Sequence, residues 1–299
     1  MLSICIPTYN FPINQLVADL SDQAAKLTID YEIIVIDDAS DSEFCQLNST
    51  IVSFPHARYI VLKNNIGRSK IRNLFIEQSL FENLLFIDCD AKVGKSDFLK
   101  LYIENLDKAP VIIGGVAYEK QKPESNKQFR WQYGHLREST LAIERNKEPY
   151  NSFKTFNFLI NKNILHIVRF DERMTGYGHE DTLFGLELKR NNIHILHIEN
   201  PLLHLGIETN QVFINKTEKS IENLLHINYL YCNDSEFIQS VKLLRFYNNL
   251  NKAYKSIISI IFKIFRPLIR SVLFFKPSMI LFDFYKIGYL CSIKRLKNQ

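Results

Sequence analysis

Leu84–Val93, LLFIDCDAKV, is the stretch whose reading decides the fold. Leu84, Leu85, Phe86, Ile87 and Cys89 are apolar, and Asp88 and Asp90 interrupt the run at its end. A short continuous apolar run closed by polar residues fits a strand buried on both faces. Two acids one residue apart at such an end have two readings. One is a turn, where Asp is common. The other is a seat for a hard divalent cation, because Mg²⁺ and Mn²⁺ are held by one or two carboxylates together with substrate phosphates. In an extended segment residues i and i+2 face the same side. Asp88 and Asp90 would then share a face, one on the metal and the other on metal-bound water or a sugar hydroxyl.

Outward from this stretch the pattern repeats. LSICIP (2–7), YEIIVID (31–37), ARYIVL (57–62) and APVIIGG (109–115) read as further buried strands. Between them lie helical spacings: Ile13, Leu16, Val17, Leu20, Ala24 and Leu27 share one face, and GRSKIRNLFIEQSL (67–80) follows a Gly67 opening. SDFLKLYIENL (96–106) predicts a helix capped by Ser96. FKTFNFLINKNIL (153–165) resumes a strand after a polar, irregular insertion, 117–152, which carries the chain's one tryptophan, Trp131. Apolar strands alternating with helices predict an α/β fold, a mostly parallel sheet with helices on both faces. Ligands of such sheets bind at the carboxyl ends of the strands. PTYN (7–10), DDAS (37–40) and DCD (88–90) occupy three of those ends, as expected of a single pocket.

Two more segments carry chemistry. Arg68 and Arg72 lie four apart on one helical face, next to a helix N-terminus that favours anions; they read as a solvated basic face or as neutralisers of phosphate. GYGHEDTLFG (176–185) is a Gly-rich loop entering a helix. Gly176 and Gly178 permit close backbone approach. His179, Glu180 and Asp181 open the helix, where an acid either caps it or serves as a general base beside an acceptor hydroxyl. His204, in PLLHLG, follows a strand that returns to the sheet edge and is a candidate third metal ligand; it would favour Mn²⁺ over Mg²⁺.

The C-terminal region differs in kind. Residues 236–299 hold 12 Lys+Arg against two acids, whereas residues 1–235 hold 25 against 30, so a mildly acidic body bears a basic tail. The segment 256–290 is very apolar but contains Lys263, Arg266, Arg270 and Lys276, and Pro267 and Pro277 are expected to break it. A membrane-spanning helix needs roughly 20 mainly apolar residues, longer than any charge-free stretch here. The tail therefore predicts helices lying in the interface of an anionic membrane, with the basic residues reaching headgroups. A helical cap on the body or a dimer interface is the other reading. The tail is too apolar for an arm that tracks nucleic-acid phosphates, and no nucleic acid is expected as partner. The cysteines Cys5, Cys45, Cys89, Cys232 and Cys291 are odd in number and lack metal-site spacing, which points to reduced thiols in the cytoplasm. MLSICIPTYN enters the first strand at once, without the charged region of a secretory leader.

Taken in order, SICIPTYN, IIVIDDAS, NIGRSKIRN, FIDCDAKV and GYGHEDTLFGLEL resemble an inverting family 2 glycosyltransferase of the GT-A fold, in its galactosyltransferase-like and chondroitin-polymerase-like branch. The resemblance covers residues 1 to about 205 and implies a GT-A domain over 1–215; the change of pattern after about Asn215 makes 216–299 a separate helical region, expected to associate with membrane. It implies that Pro7, Thr8, Tyr9 and Asn10 line the nucleotide and that Asp38, with Asp37 as a second candidate, contacts base or ribose; the other reading of DDAS is a turn and a helix cap, with one of the two acids serving only there. Gly67, Arg68 and Arg72 would lie near the nucleotide or its phosphates, and Cys89 belongs to the same donor site. Asp88 and Asp90 would be the metal pair, completed by His204, with Mn²⁺ or Mg²⁺ bound. Asp181 would be the catalytic base and Glu180 would bind the acceptor. Trp131, Asn157, Gly178 and His179 would flank the acceptor side. Cys89 departs from the commoner small or polar residue, and its side chain would point away from the metal. The implied reaction moves a sugar from a nucleoside diphosphate sugar, commonly UDP-linked, to a glycan or lipid-linked acceptor in surface polysaccharide synthesis. It would take place at the inner face of the cytoplasmic membrane. A non-catalytic nucleotide-sugar-binding protein and a sugar-nucleotidyltransferase are the alternatives. The second usually carries a Gly-rich N-terminal signature, and PTYN lacks it.

Overall fold

A computed structural model describes residues 1–174, 176–231 and 233–296; Cys232 and residues 297–299 of the basic tail lie outside them. The chain divides into two compact units. One comprises Met1–Tyr118, Ser139–Thr175 and Glu187–Gly206; the other comprises Glu119–Glu138, Gly176–Leu186 and Ile207–Gln299. The division expected at residue 215 falls instead after Gly206, and the second unit draws in two earlier segments.

The first unit is built on β1 (Leu2–Thr8), β2 (Tyr31–Asp37), β3 (Ala57–Val61), β4 (Asn83–Ile87), β5 (Ala91–Lys92), β6 (Val111–Ile113), β7 (Val116–Ala117), β8 (Asn157–Asn161), β9 (Ile195–His197) and β10 (Leu202–His204). Seven strands form one sheet in the order β3-β2-β1-β4-β8-β6-β9, and β5-β10-β7 form a small second one. β1 lies inside the sheet, between β2 and β4 and parallel to both, in register from Leu2↔Tyr31 to Thr8↔Asp37 on one side and from Leu2↔Asn83 to Cys5↔Phe86 on the other. That register brings PTYN between DDAS and DCD. β8 runs antiparallel to β4 and β6, so the largely parallel sheet carries one reversed strand that the apolar pattern did not distinguish.

Alternation along β4 explains both layers. Leu85 and Ile87 join the core formed with Leu16, Val17 and Leu20 of α1 (Asn14–Ala24), and α2 (Ser42–Asn48) follows β2. Phe86, on the opposite face, meets Phe75 of α3 (Arg68–Gln78) edge-on at 5.6 Å and stacks on Phe158 at 4.9 Å. Removing that ring, as in Phe86→Ala, costs about 3–5 kcal/mol for a buried aromatic. α4 (Phe98–Ile103) is preceded by Asp97, not Ser96, and Asp97 makes no side-chain cap; Leu99 N–H instead donates to Gln23 at 3.0 Å. The expected irregular insertion contains α5 (Gln128–Tyr133) and α6 (Ala142–Arg145). α7 (Lys162–Ile167) follows β8, and α8 (Glu180–Arg190) begins in the second unit.

The second unit continues with α9 (Asn210–Leu230), α10 (Ser235–Ser240), α11 (Lys242–Asn249), α12 (Lys252–Phe275) and α13 (Met279–Leu296). Phe129, Phe213 and Phe282 form its aromatic centre, with ring centroids 4.8–5.4 Å apart. α9 and α12 start on caps, Thr209 accepting from Val212 N–H and Asn251 from Tyr254 N–H. Pro267 does not break α12, which runs through it for 24 residues. It lies on an exposed part of the helix, where solvent can satisfy the carbonyl that loses its N–H partner.

Candidate active site

The three strand ends of the first unit are satisfied in different ways. After β1, Asn10 has φ +48° and ties the loop after β1 to the one after β2: its side chain accepts from Asp41 N–H at 2.8 Å, and its own N–H donates to Ser40 Oγ at 2.8 Å. Thr8 is buried and Tyr9 half exposed, at 51%. After β2, Asp37 is fully buried and accepts from Ser40 N–H at 2.7 Å and from the Tyr59 hydroxyl at 2.6 Å. Of the two readings of DDAS, these bonds give Asp37 the turn: it braces the chain after β2. Asp38 accepts from Ile66 N–H at 2.7 Å and Gly67 N–H at 2.9 Å, one on each oxygen. It shapes the loop that enters α3. Gly67 has φ +84°, a region that favours glycine.

After β4 the chain turns at once. Ala91 N–H donates to the Asp88 carbonyl at 3.1 Å, so residues 88–90 form a turn and not the extended segment that would aim both acids one way. Asp88 accepts from Arg72 at 2.9 Å, and the Arg72 guanidinium is buried, also facing the Phe170 ring at 5.6 Å. Arg72 is therefore committed to Asp88, while Arg68 stands exposed at the start of α3. Burial lifts the Asp88 carboxyl above the usual carboxylate range, against the pull of Arg72. Cys89 packs against the hydrophobic core, and burial pushes its thiol up to about 12.

Asp90 faces a different partner. His204 Nε2 lies 3.3 Å from Asp90 Oδ2. The pairing of β10 with β5 sets His204 opposite Ala91, and Leu205 N–H donates to the Asp90 carbonyl at 2.8 Å. Tyr118 and Phe156 stand beside the imidazole, 5.5 and 5.3 Å away. Gly206 lets the chain pass close here: a Cβ on it would come within 2.3 Å of Asp90 Oδ2 and would displace that carboxylate. Burial alone would raise Asp90, but the hydrogen bond and charge of His204 outweigh it and hold the carboxyl below its usual range. His204 Nδ1 is buried without a hydrogen-bond partner.

The fit to a divalent cation can be judged on these atoms. Among the described residues no group of three His, Cys, Asp or Glu is gathered for a metal, and Asp88 is turned to Arg72. One carboxylate and one imidazole on adjoining backbones remain. That donor set suits Mn²⁺ or Mg²⁺ when a diphosphate and water fill the other positions.

Asn157 is buried and satisfied: it accepts from the Tyr102 hydroxyl at 2.6 Å and donates to the Asn200 carbonyl at 2.9 Å. It is a structural residue, which corrects the expectation of an acceptor contact. Glu180, Asp181, Gly178, His179 and Trp131 belong to the second unit. Asp181 lies in the first turn of α8 and accepts from Thr182 N–H at 2.7 Å. Gly178 and His179 have φ +86° and +71°. Trp131 donates from Nε1 to the Glu119 carbonyl at 2.7 Å and meets His135 edge-on at 4.5 Å.

Three residues escaped sequence reasoning. Asn223 of α9 donates to the Gly178 carbonyl at 2.6 Å, and a Cβ on Gly176 would meet its side chain at 2.2 Å. It therefore anchors the loop before Asp181. Gly206 makes room for Asp90. Ser69 is buried, and its hydroxyl has no hydrogen-bond partner; it lines a cleft of about 200 Å³ with Gly67, Lys70 and Glu172. The small residue after GR in GRSK was the only available signal for it.

Acids follow β2 and β4 of the seven-stranded sheet, and an imidazole ends β10 of the small one; the whole is an α/β architecture of the GT-A kind. Residues 3–169 match glycosyl transferase family 2, and the chain belongs to that family. It is 25% identical over 237 residues to a chondroitin synthase of Escherichia coli, covering 68% of this chain and 34% of the relative. It is 27% identical over 119 residues to an uncharacterized glycosyltransferase of Rickettsia felis, covering 40% of this chain and 19% of the relative. The chain thus spans about a third and a fifth of these relatives' lengths. Among solved structures it resembles S. aureus TarS 1–349, known also in complex with UDP and with UDP-GlcNAc. The TM-score is 0.52 at 16% identity, over 100% of this chain and 92% of that one. It also resembles the mannosyltransferase PcManGT of Pyrobaculum calidifontis in complex with GDP-Man and Mn²⁺, with a TM-score of 0.56 at 10% identity, over 100% and 87%.

Proposed function

We propose that the protein transfers a sugar, with inversion, from a nucleoside diphosphate sugar to a hydroxyl of a glycan or lipid-linked acceptor, in the synthesis of a surface polysaccharide. The observation that carries the reading is the Asp90–His204 pair: a carboxylate and an imidazole held 3.3 Å apart at the strand end, with one imidazole nitrogen lacking a partner. UDP is the donor nucleotide favoured here, on the family resemblance and the UDP complexes of TarS.

In this reading Asp90 and His204 would hold a divalent cation, Mn²⁺ or Mg²⁺. A bound cation supplies charge stabilisation of the departing diphosphate. Arg68, exposed and beside a helix N-terminus, adds to it. Pro7, Thr8, Tyr9 and Asn10 line the nucleotide. Arg72 keeps Asp88 oriented. Asp181 takes the proton of the acceptor hydroxyl as that oxygen bonds to the anomeric carbon. The bond from that carbon to the diphosphate oxygen breaks, and its electron pair leaves with the nucleoside diphosphate. Asp181 stands in the first turn of α8, and a carboxylate is a suitable general base for a hydroxyl. Glu180, His179, Gly178 and Trp131 contact the acceptor.

The test is release of nucleoside diphosphate from a panel of UDP-, GDP-, CDP- and dTDP-sugars in the presence of Mn²⁺ and a hydroxyl acceptor. Wild type should release one of them. Asp181→Asn should slow release by about 10²–10⁴-fold, the range for losing a general base, with donor affinity retained. No release from any of them by folded protein, or full activity in Asp181→Asn, would overturn the reading.

A further inference from the structure

α12 presents two unlike faces. Ser259, Phe262, Ile269 and Leu273 are buried on one, and Phe262 sits against Tyr285 at 5.1 Å where Gly288 leaves it room. Ile257, Ile260, Ile264, Leu268 and Phe275 follow the same helical spacing on the other and are 50–84% open to solvent together with Ile280 beyond the helix end. An apolar stripe of this length on a helix whose opposite side is already fixed calls for an occupant. No described helix is long and apolar enough to cross a membrane.

The charges choose the occupant. α12 contains five basic residues, Lys252, Lys255, Lys263, Arg266 and Arg270, and no acid. Arg266 and Arg270 turn inward, to Glu218 of α9 at 2.8 and 3.0 Å. This corrects the expectation that they reach headgroups. Lys252, Lys263 and, just past the helix, Lys276 remain exposed. A second copy of this face would bring like charges together, whereas an anionic lipid surface complements it.

We propose that α12 is a docking helix that lies in the surface of an anionic bilayer, with the Ile257–Phe275 stripe in the acyl boundary and its lysines at the headgroups. Lying flat, the 24-residue helix would cover about 36 Å of membrane at its usual rise. The inference does not rest on the proposed reaction, since lipid binding is read without donor or acceptor.

The test is flotation of the full chain with vesicles of phosphatidylcholine, alone or mixed with phosphatidylglycerol. Wild type should float with the mixed vesicles and about 10-fold more weakly with the neutral ones or in high salt. Ile264→Ser combined with Leu268→Ser should weaken flotation by at least about 10-fold, because each removes an exposed aliphatic chain from the contact. Its thermal melt should match that of wild type, because both side chains project from the fold. Lys263→Glu should lose about fivefold with the mixed vesicles only. Absence of flotation in wild type, or equal flotation of the double variant, would overturn the proposal. So would a lipid-free wild-type dimer that Ile264→Ser with Leu268→Ser converts to monomer, since a second copy would then be the occupant.

Discussion

Two strand ends of one sheet carry the same signal, a pair of acids after an apolar run, and the fold uses them oppositely. After β2, Asp37 and Asp38 are satisfied by the chain itself, mostly by backbone amides and by the Tyr59 hydroxyl. After β4, Asp88 and Asp90 face side chains, Arg72 and His204. The histidines that end successive strands β9 and β10 repeat the contrast. His197 has both nitrogens engaged, Nδ1 with Arg145 at 3.1 Å and Nε2 with the Pro149 carbonyl at 2.9 Å, while His204 Nδ1 has no partner. A polar group whose hydrogen-bonding atoms are all engaged within the chain shapes the fold. One that keeps an unengaged atom, as His204 keeps Nδ1, has capacity left for a ligand.

The contrast yields predictions of decreasing size. Asp90→Asn should weaken UDP binding in the presence of Mn²⁺ by about 100-fold, the scale on which metal sites respond to loss of a key group, with little change in melting temperature. Calorimetry beside a thermal melt checks both halves. His197 should show the opposite profile, in stability alone. Burial chiefly, with Arg145 assisting, lowers its pKa from the ordinary 6.5 to about 4. As pH falls through 6.5 the unfolded chain takes up this proton first, and the folded chain resists until about 4. The stability from neutral His197 is thus complete above 6.5 and is lost towards 4, on the order of 3 kcal/mol in all. Denaturant titrations of wild type and His197→Asn across that window should differ by this slope; parallel curves would break the comparison.

Smaller effects sharpen it. Asp37→Ala strands the Ser40 amide and the Tyr59 hydroxyl, and about 2 kcal/mol of stability should go with them. Donor affinity lost without a change in melt would show that Asp37 belongs with Asp90 after all. Asn223→Ala removes one hydrogen bond from the Gly178 carbonyl, worth about 1 kcal/mol. Turnover should fall about fivefold with UDP affinity unchanged, whereas a purely structural role for Asn223 would move the melt and leave turnover per folded molecule intact.

The sheet was legible because its strands are apolar on both faces and Gly67 marks the entry to α3. The clusters at the strand ends were legible because they fall where such sheets bind ligands. Partner choice was not. Asn157 reads like a polar residue at a strand end, and only the fold reveals Tyr102, Gly115 and Asn200 consuming its hydrogen bonds. The reversed β8 is as apolar as its parallel neighbours, and direction leaves no mark on composition. Pro267 reads as a stop, yet packing on one side of α12 holds the helix through it. Asn223 lies more than forty residues from the Gly178 carbonyl it holds, a separation that no local pattern spans.

Whether Asp90 and His204 form a cation-dependent donor site is decided by one calorimetric titration of the full chain: UDP added with Mn²⁺ present and with Mn²⁺ chelated. Binding should saturate with the metal present and be at least about 10-fold weaker without it. Equal UDP affinity in both conditions would contradict it.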